Sequence, residues 1–298
     1  MSAARRGYGS RSCRWAMLAA LLAIHAAAGA APGETGSAAD GCAGPSSDDC
    51  VAVRHWSFSV ALGAGVRTNP LVNGENIPLV IIPHVSYYGE RFFLDDLDLG
   101  VTLVESAANS LSLIASPGYD RVYFYRTDLQ NFFITGYLAD GTAMATASPT
   151  SPATVIAKIT PRPRRITYLA GPEWTFKVAG ISGQLDVLHD VTGQDHGTEI
   201  RAALGIPLIE SRGVLSANVG ITWKSSAIVN YYYGEPGLYA GGAALDPFAK
   251  LGYTVPLSGR WRFNAFAEYE RLGSAIVDSP IVAEHSVATV FIGAIYAF

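Results

Sequence analysis

Three pairs of adjacent histidine and carboxylate residues are the positions best suited to acid–base or metal chemistry. They are His189-Asp190, Asp195-His196 and Glu284-His285. An imidazole beside a carboxylate can act as a general base, and two such pairs can hold a divalent metal ion. The first two pairs flank one short segment, so their side chains could meet there. Neither pair belongs to a ligand-spaced motif such as His-Glu-x-x-His, and the neighbouring Gly193 and Gly197 indicate turns.

We therefore interpret these pairs as loop structure and predict no catalytic, cofactor-binding or metal-binding residues. His84 lies on the polar side of its segment, with Ser86 two residues further on, and is interpreted as a polar side chain without a chemical role. The glycines follow the period of the surrounding strands, and no phosphate-binding or nucleotide-binding glycine motif is present in the sequence.

Strict alternation of apolar and polar residues dominates the chain from residue 54 onward. In the first such segment Trp56, Phe58, Val60 and Leu62 alternate with Ser57, Ser59, Ala61 and Gly63. A period of two indicates a β-strand with one apolar face. The opposite faces are rich in Gly, Ser, Asn and Thr, and aromatic residues lie near the strand ends. This combination favours a membrane barrel, with lipid outside and small polar residues inside, over a soluble sandwich.

Counting the alternating segments predicts the size of the barrel. Eleven segments are clear: 54–66, 77–88, 91–104, 109–116, 166–178, 181–190, 198–207, 213–225, 247–257, 260–272 and 286–298. Because bacterial single-chain barrels have an even number of strands, we predict a closed antiparallel barrel of twelve, with ten as the alternative. The extra strand would come from 122–125 or from a break at Asp95-Asp96. The short links at Gly180, 210–213 and 256–259 are predicted to be periplasmic turns. The links 126–165, 226–246 and 273–285 are predicted to be extracellular loops.

The two ends of the chain predict its location. Arg5, Arg6, Arg11 and Arg14 precede a short apolar run, and Ala28-Gly29-Ala30 fits a cleavage site, so residues 1–30 read as a secretory signal peptide. Residues 31–53 have no periodicity and are predicted to be a flexible periplasmic segment before a barrel at 54–298. Cys42 and Cys50 lie in that segment and could form a disulfide in an oxidising compartment.

Charge composition limits the partners. Without the four leader arginines, 17 basic residues stand against 25 acidic ones, which argues against nucleic acid. By alternation nine charged residues would face the lumen, where they could select solutes or pair and close it: Lys177, Asp186, Glu199, Arg201, Lys224, Lys250, Arg262, Glu268 and Glu270. A twelve-stranded barrel is narrower than the 16–18-stranded barrels that leave open channels.

Several sequence pieces resemble the outer-membrane MipA/OmpV family. They include Tyr87-Tyr88-Gly89-Glu90-Arg91, Asn230-Tyr231-Tyr232-Tyr233-Gly234, Asp278-Ser279-Pro280-Ile281-Val282 and the terminal Gly293-Ala294-Ile295-Tyr296-Ala297-Phe298. Together they span about 55–298. The last strand, with Tyr296 and the terminal Phe298, also resembles the signal that directs bacterial barrels to the barrel-assembly machinery. Residues 119–165 depart from the family pattern, because they are rich in Pro and Thr.

The resemblance implies interaction more than catalysis. It implies a non-enzymatic scaffold in the outer membrane that brings a lytic transglycosylase and a penicillin-binding protein together for peptidoglycan synthesis. The alternative is a narrow, porin-like channel for small solutes. Ile281 and Val282 are apolar, although the predicted loop that contains them should face solvent. This suggests that 278–282 folds inward and plugs the mouth of the barrel. A simple turn at Pro280 fits the same residues.

Overall fold

The computed structural model describes residues 54–125 and 164–298, and shows twelve antiparallel strands closed into one barrel. Each strand pairs with its neighbours along the chain, and the first pairs with the last. The strands are β1 His55–Arg67, β2 Ile77–Tyr88, β3 Phe92–Asp95, β4 Asp98–Glu105, β5 Asn109–Pro117, β6 Tyr168–Val178, β7 Ile181–Asp190, β8 Thr198–Glu210, β9 Val214–Lys224, β10 Ala244–Ser258, β11 Trp261–Arg271 and β12 Ser286–Ala297. The predicted fold class, with twelve strands, is confirmed.

The twelfth strand comes from the break at Asp95-Asp96. The predicted segment 91–104 is a hairpin of β3 and β4, and Asp96 in its turn has a left-handed φ of 53°. The other candidate, 122–125, forms no strand, because its first two residues belong to the 3-10 helix Tyr119–Tyr123. Since β3 has only four residues, its turn reaches no further along β2 than Val85, whose carbonyl accepts the Asp96 N–H at 2.8 Å.

The wall follows the predicted alternation, with large apolar side chains outside. In β12, Val290 and Ile292 are 45% and 56% exposed, whereas Thr289 and Phe291, which alternate with them, are 2% and 3% exposed. Pairing of β1 with β12 closes the sheet, so neither terminal strand is left with a free edge, as a β protein surrounded by lipid requires. The outer surface is therefore suited to a bilayer, and the inward side chains form the interior.

Phenylalanine rings cover glycines across neighbouring strands inside the wall. Phe93 lies opposite Gly100 in the β3–β4 register, and a Cβ atom at Gly100 would overlap the Phe93 ring. The same ring stacks on Tyr88 of β2 at a centroid distance of 6.1 Å. These contacts fix the short β3–β4 hairpin against β2, and so position the carboxylates at its tip.

The links between strands divide the barrel into two different ends. One end holds the start of β1 and the end of β12, and we call it the turn end. Its links are short: 89–91, 106–108, 179–180, 211–213 and 259–260. The other end, which we call the loop end, holds the links 68–76, 118–167, 191–197, 225–243 and 272–285. The eleventh link, the two-residue turn 96–97 between β3 and β4, lies on the loop-end side, partway along β2. Apart from this turn, short and long links lie at opposite ends, as short periplasmic turns and long extracellular loops do in outer-membrane barrels.

Three loop segments pack into the loop end and form what we call the plug: the 3-10 helix Tyr119–Tyr123, α1 Ser226–Tyr233, and residues 274–282, which begin with α2 Ser274–Val277. Tyr232, Tyr233 and Ile276 are at most 1% exposed, and they share one apolar cluster with inward-facing residues of the wall. Neither α1 nor α2 has the length and apolarity to cross a bilayer, and the same holds for every helix in the described ranges. The interior is thus filled from the loop end.

Candidate functional site

The plug is attached to the wall by a buried lysine. Lys224 Nζ, on β9, lies 2.8 Å from Asp120 Oδ1 of the 3-10 helix and 3.0 Å from Asp246 Oδ2 of β10. The Tyr233 hydroxyl of α1 donates to the same Asp120 oxygen at 2.8 Å. One cation therefore holds two strands, the 3-10 helix and α1 together.

Further contacts hold the rest of the plug. Ser279 Oγ donates to the Tyr233 carbonyl at 2.5 Å, and the Tyr232 hydroxyl lies 2.9 Å from Thr167 Oγ1. Arg164 is buried, and its Nη2 donates to the Tyr232 carbonyl at 2.7 Å. Within 278–282, Ile281 is 8% exposed and Ser279 is buried, whereas Asp278 and Pro280 are exposed. Beside the 3-10 helix, a cavity of about 60 Å³ between Arg67, Lys224 and Glu270 has room for a few water molecules.

A second group of charges inside the barrel is strongly acidic. We call it the acidic cluster: Asp95, Asp96, Asp98, Glu173, Asp186 and Glu199. Arg201 compensates part of this charge, because its Nε donates to Glu199 Oε1 at 2.5 Å and its Nη1 to Ser116 Oγ at 3.0 Å. Gln184 Nε2 donates to Glu173 Oε2 at 3.0 Å and also bonds to Asp186. The cluster extends over β3, β4, β6, β7 and β8 and carries a surplus of negative charge.

His84 lies at the edge of this cluster. Its Nδ1 is 3.0 Å from Asp96 Oδ1 and 3.7 Å from Asp95 Oδ1. The Tyr88 hydroxyl donates to Asp95 Oδ2 at 3.0 Å, and the Val85 N–H donates to Asp96 Oδ1 at 2.9 Å. Within the described ranges, His84, Asp95 and Asp96 form the one group of His, Asp and Glu side chains placed to hold a metal ion.

The nine predicted lumenal charges occupy three kinds of environment. Asp186, Glu199, Arg201 and Lys224 are buried. Lys250, Glu268 and Glu270 are partly buried, and Lys250 Nζ lies 3.7 Å from Glu268 Oε2. Lys177 and Arg262 are exposed at the turn end. Opposite charges therefore come together at Lys224, Arg201 and Lys250.

Sequence reasoning missed several interior residues. Glu173 alternates with the outward Trp174, so period two could have identified it. Asp246 lay one residue outside the predicted strand 247–257, and Asp98 lay inside a segment treated as one continuous strand. Asp120 gave no such signal, because it belongs to a loop helix whose position depends on contacts with β9 and α1.

The histidine–carboxylate pairs of loop 191–197 do not assemble a site. The carboxylate of Asp190 accepts the backbone N–H groups of Thr192, Gln194, Asp195 and His196 at 2.7–3.0 Å. His189 Nδ1 instead lies 3.0 Å from Thr198 Oγ1 on the exposed surface. Burial raises the pKa of Asp195 in this loop to about 6, although its Oδ1 accepts the Gly197 N–H. Asp190 therefore organises loop 191–197 through these backbone hydrogen bonds. The third pair, Glu284 and His285, is exposed in another loop.

The end of the chain completes the wall at the turn end. The Phe298 N–H donates to the Phe58 carbonyl at 2.9 Å, and Tyr296 packs on Trp261 with ring centroids 5.0 Å apart. Phe298 itself is 71% exposed on the outer surface. Cys42 and Cys50, together with the predicted leader and segment 31–53, lie outside the described residues.

The rim of the turn end is basic. Nine charged side chains are exposed on the described part of this rim, and six of them are basic. The basic ones are Arg54, Arg91, Lys177, Arg212, Arg260 and Arg262, and the acidic ones are Glu90, Glu105 and Glu210. Arg54 forms an ion pair with Glu90. The rim therefore has a net positive charge, opposite to that of the acidic cluster.

Comparison with known proteins places this barrel in a family. Residues 62–298 match the family described as MltA-interacting protein MipA. The chain belongs to the MipA family. Since the match starts inside β1 and ends at the last residue, it includes the plug, the acidic cluster and the charged residues of the turn-end rim other than Arg54.

Individual MipA-family relatives are distant. The MltA-interacting protein of Escherichia coli (strain K12) is 24% identical over 257 residues, which are 83% of this chain and 93% of that protein. Outer membrane protein Omp26La of Vibrio anguillarum is 30% identical over 110 residues, 33% of this chain and 40% of its own. Among solved structures, the loop L8 deletion mutant of OmpT, an outer membrane protein of Vibrio cholerae, aligns with 82% of this chain and 99% of its own, at 11% identity and a TM-score of 0.32. The relatives named as outer membrane proteins and the closed twelve-stranded barrel identify this MipA-family chain as an outer-membrane protein.

Proposed function

We propose that this protein is a non-enzymatic scaffold of the outer membrane that binds peptidoglycan-synthesis enzymes on its periplasmic side. The observation that carries the proposal is the plug: the loop end is filled by packed side chains and attached through buried Lys224. A barrel filled in this way is better suited to present a surface than to pass solutes. The name of the Escherichia coli relative describes interaction with MltA, and this supports a lytic transglycosylase as the partner.

The turn-end rim is the surface that we propose for docking. It is exposed, lies on the side of the short links, and carries six basic against three acidic side chains. Arg212 and Arg260 lie on the adjacent β8–β9 and β10–β11 links, and Arg262 is the second residue of β11. Complementary charge steers association and selects partners, so a partner would present an acidic surface to this rim. A penicillin-binding protein could bind in the same complex.

Direct binding tests the proposal. The folded barrel in lipid nanodiscs would be titrated with the purified lytic transglycosylase of the same cell, and the Kd followed at increasing salt. We expect the triple variant R212E/R260E/R262E to bind at least tenfold more weakly, and wild-type binding to weaken with salt. The double variant R165E/R271E, at the loop end, is the control and should bind like the wild type. Equal affinity in both variants, or absent wild-type binding, would refute the proposal.

A narrow cation-selective channel is the second candidate, and the acidic cluster is the observation that favours it. Its six carboxylates would attract cations into the barrel from the turn end. Planar-bilayer recording distinguishes the two functions. The scaffold predicts a folded but silent barrel, whereas stable single-channel steps with cation selectivity, reduced by E173Q/D186N, would support the channel.

A further inference from the structure

The tip of the β3–β4 hairpin brings together three side chains that the established family membership does not explain. His84 comes from β2, Asp95 is the last residue of β3, and Asp96 is the turn residue that follows. One ligand atom from each of the three lies within 4.8 Å of the other two. The side chains of His84, Asp95 and Asp96 are 17%, 27% and 0% exposed. They converge on one point at the edge of the acidic cluster.

Each carboxylate at this point is held through one oxygen while the other lacks a hydrogen-bond partner. Asp96 Oδ1 accepts the Val85 N–H, and Asp95 Oδ2 accepts the Tyr88 hydroxyl. The other two carboxylate oxygens, Asp96 Oδ2 and Asp95 Oδ1, are buried without a hydrogen-bond partner within the described residues, and His84 Nδ1 lies 3.0 Å from Asp96 Oδ1. Donors that orient one oxygen of a ligating carboxylate are a common feature of metal sites. Asp96 matters most, because its side chain is completely buried and still has an unpaired oxygen.

The charges at this point do not balance. Two carboxylates face one histidine, so a protonated His84 could neutralise only one of them, and Asp98 in the next strand adds a further buried Oδ1 without a hydrogen-bond partner. Arg201 partly compensates Asp98, Asp186 and Glu173, and it is also bonded to Glu199 and Ser116. Buried polar and charged groups are costly unless they are paired or coordinate a metal.

We propose that His84, Asp95 and Asp96 bind a divalent transition-metal cation of the Zn²⁺ class, which enters from the lumen. One imidazole nitrogen and two carboxylates suit Zn²⁺ or a similar ion, whereas Ca²⁺ and Mg²⁺ prefer oxygen ligands alone. Three protein ligands leave coordination positions for water or for a donor group of a bound molecule. The ion would join the hairpin tip to the middle of β2, where β3 is too short to continue the sheet.

Zinc titration tests the proposal on the mature, folded protein. The barrel is refolded in detergent with Cys42 and Cys50 changed to serine, because those thiols could bind zinc independently. Isothermal titration with Zn²⁺ should show one equivalent bound with a micromolar or lower Kd. We expect H84Q and D96N each to weaken binding at least tenfold. H189Q, which changes an exposed histidine outside the group, should bind like the parent protein.

Thermal unfolding gives a second readout, since a ligand that binds only the folded state raises the Tm. Zn²⁺ should raise the Tm of the parent and of H189Q, and should leave that of H84Q unchanged. Heat-modifiable gel migration verifies that each variant is folded. If D96N does not fold, D95N replaces it, because Asp95 is the more exposed ligand. Binding that is absent in the parent, or equal in H84Q and H189Q, would overturn the proposal and leave His84 and Asp96 as an ion pair.

Discussion

Replacing Lys224 by methionine should destabilise the whole barrel. The substitution leaves the carboxylates of Asp120 and Asp246 buried without their shared cation. Asp120 would keep the Tyr233 hydroxyl, but Asp246 Oδ2 has no hydrogen-bond partner to replace the Lys224 ammonium. Removing one partner of a buried ion pair costs about 3–5 kcal/mol. We therefore expect K224M to lower the free energy of unfolding by about this amount.

Lys250 provides the matched control. Its Nζ lies 3.7 Å from Glu268 Oε2, and both side chains are partly exposed. Such a pair contributes about 1 kcal/mol or less. The two variants and the wild type would be compared by urea unfolding in lipid vesicles, with tryptophan fluorescence as the signal. The reasoning is refuted if K224M and K250M lose the same stability.

The double variant K224M/D246N separates charge from packing. If an uncompensated carboxylate causes the loss, neutralising Asp246 should restore part of it, and the double variant should be more stable than K224M. If K224M lost stability only because of the shape of the methionine side chain, adding D246N would lower the free energy of unfolding further. A positive coupling energy between the two positions is therefore the specific expectation.

Three further predictions concern the plug, a loop and the last residue. Y232A/Y233A removes two buried rings from the plug and should turn a silent barrel into one with measurable single-channel current, while Y231A should stay silent. Burial raises the pKa of Asp195 from its usual 3.8 to about 6, so the folded protein loses stability as the pH rises between these two values, and the loss is complete above about pH 6. D195N should therefore stabilise the protein more at pH 7.5 than at pH 4.5, measured by urea unfolding, and a pH-independent difference would contradict this. Deleting Phe298 should lower the yield of heat-modifiable barrel in cells, but leave refolding in detergent nearly unchanged.

The period of two predicted the wall well because lipid imposes it on every strand. The predicted bounds of β2 and β7 agree with the structure, and β8 and β10 extend by a few residues beyond the prediction. The β3–β4 hairpin was predicted only as a candidate break at Asp95-Asp96. Its turn is visible because two adjacent aspartates interrupt an apolar segment, but its metal-site geometry depends on the register with β2.

The plug was only partly predictable. Ile281-Val282 stood out as apolar residues in a loop, and the structure places Ile281 in the buried loop end. The contacts that fix the plug join residues far apart in sequence, such as Asp120 with Tyr233 and Arg164 with Tyr232. Local patterns carry no information on such contacts. Lys224 looked like one of nine lumenal charges, and its role emerged only from its two partners.

The size of the barrel explains why loops with apolar residues are needed at all. Eight strands enclose a space that wall side chains fill alone, whereas twelve enclose more. Many inward residues near the turn end are also small, such as Gly205, Ser216 and Gly252. The side chains that fill the loop end must therefore come from the links between strands. The buried tyrosines of α1 and Ile276 fill it. In a barrel of this size an apolar link thus predicts a filled interior, and a filled interior is the reason for proposing that the rim carries the function.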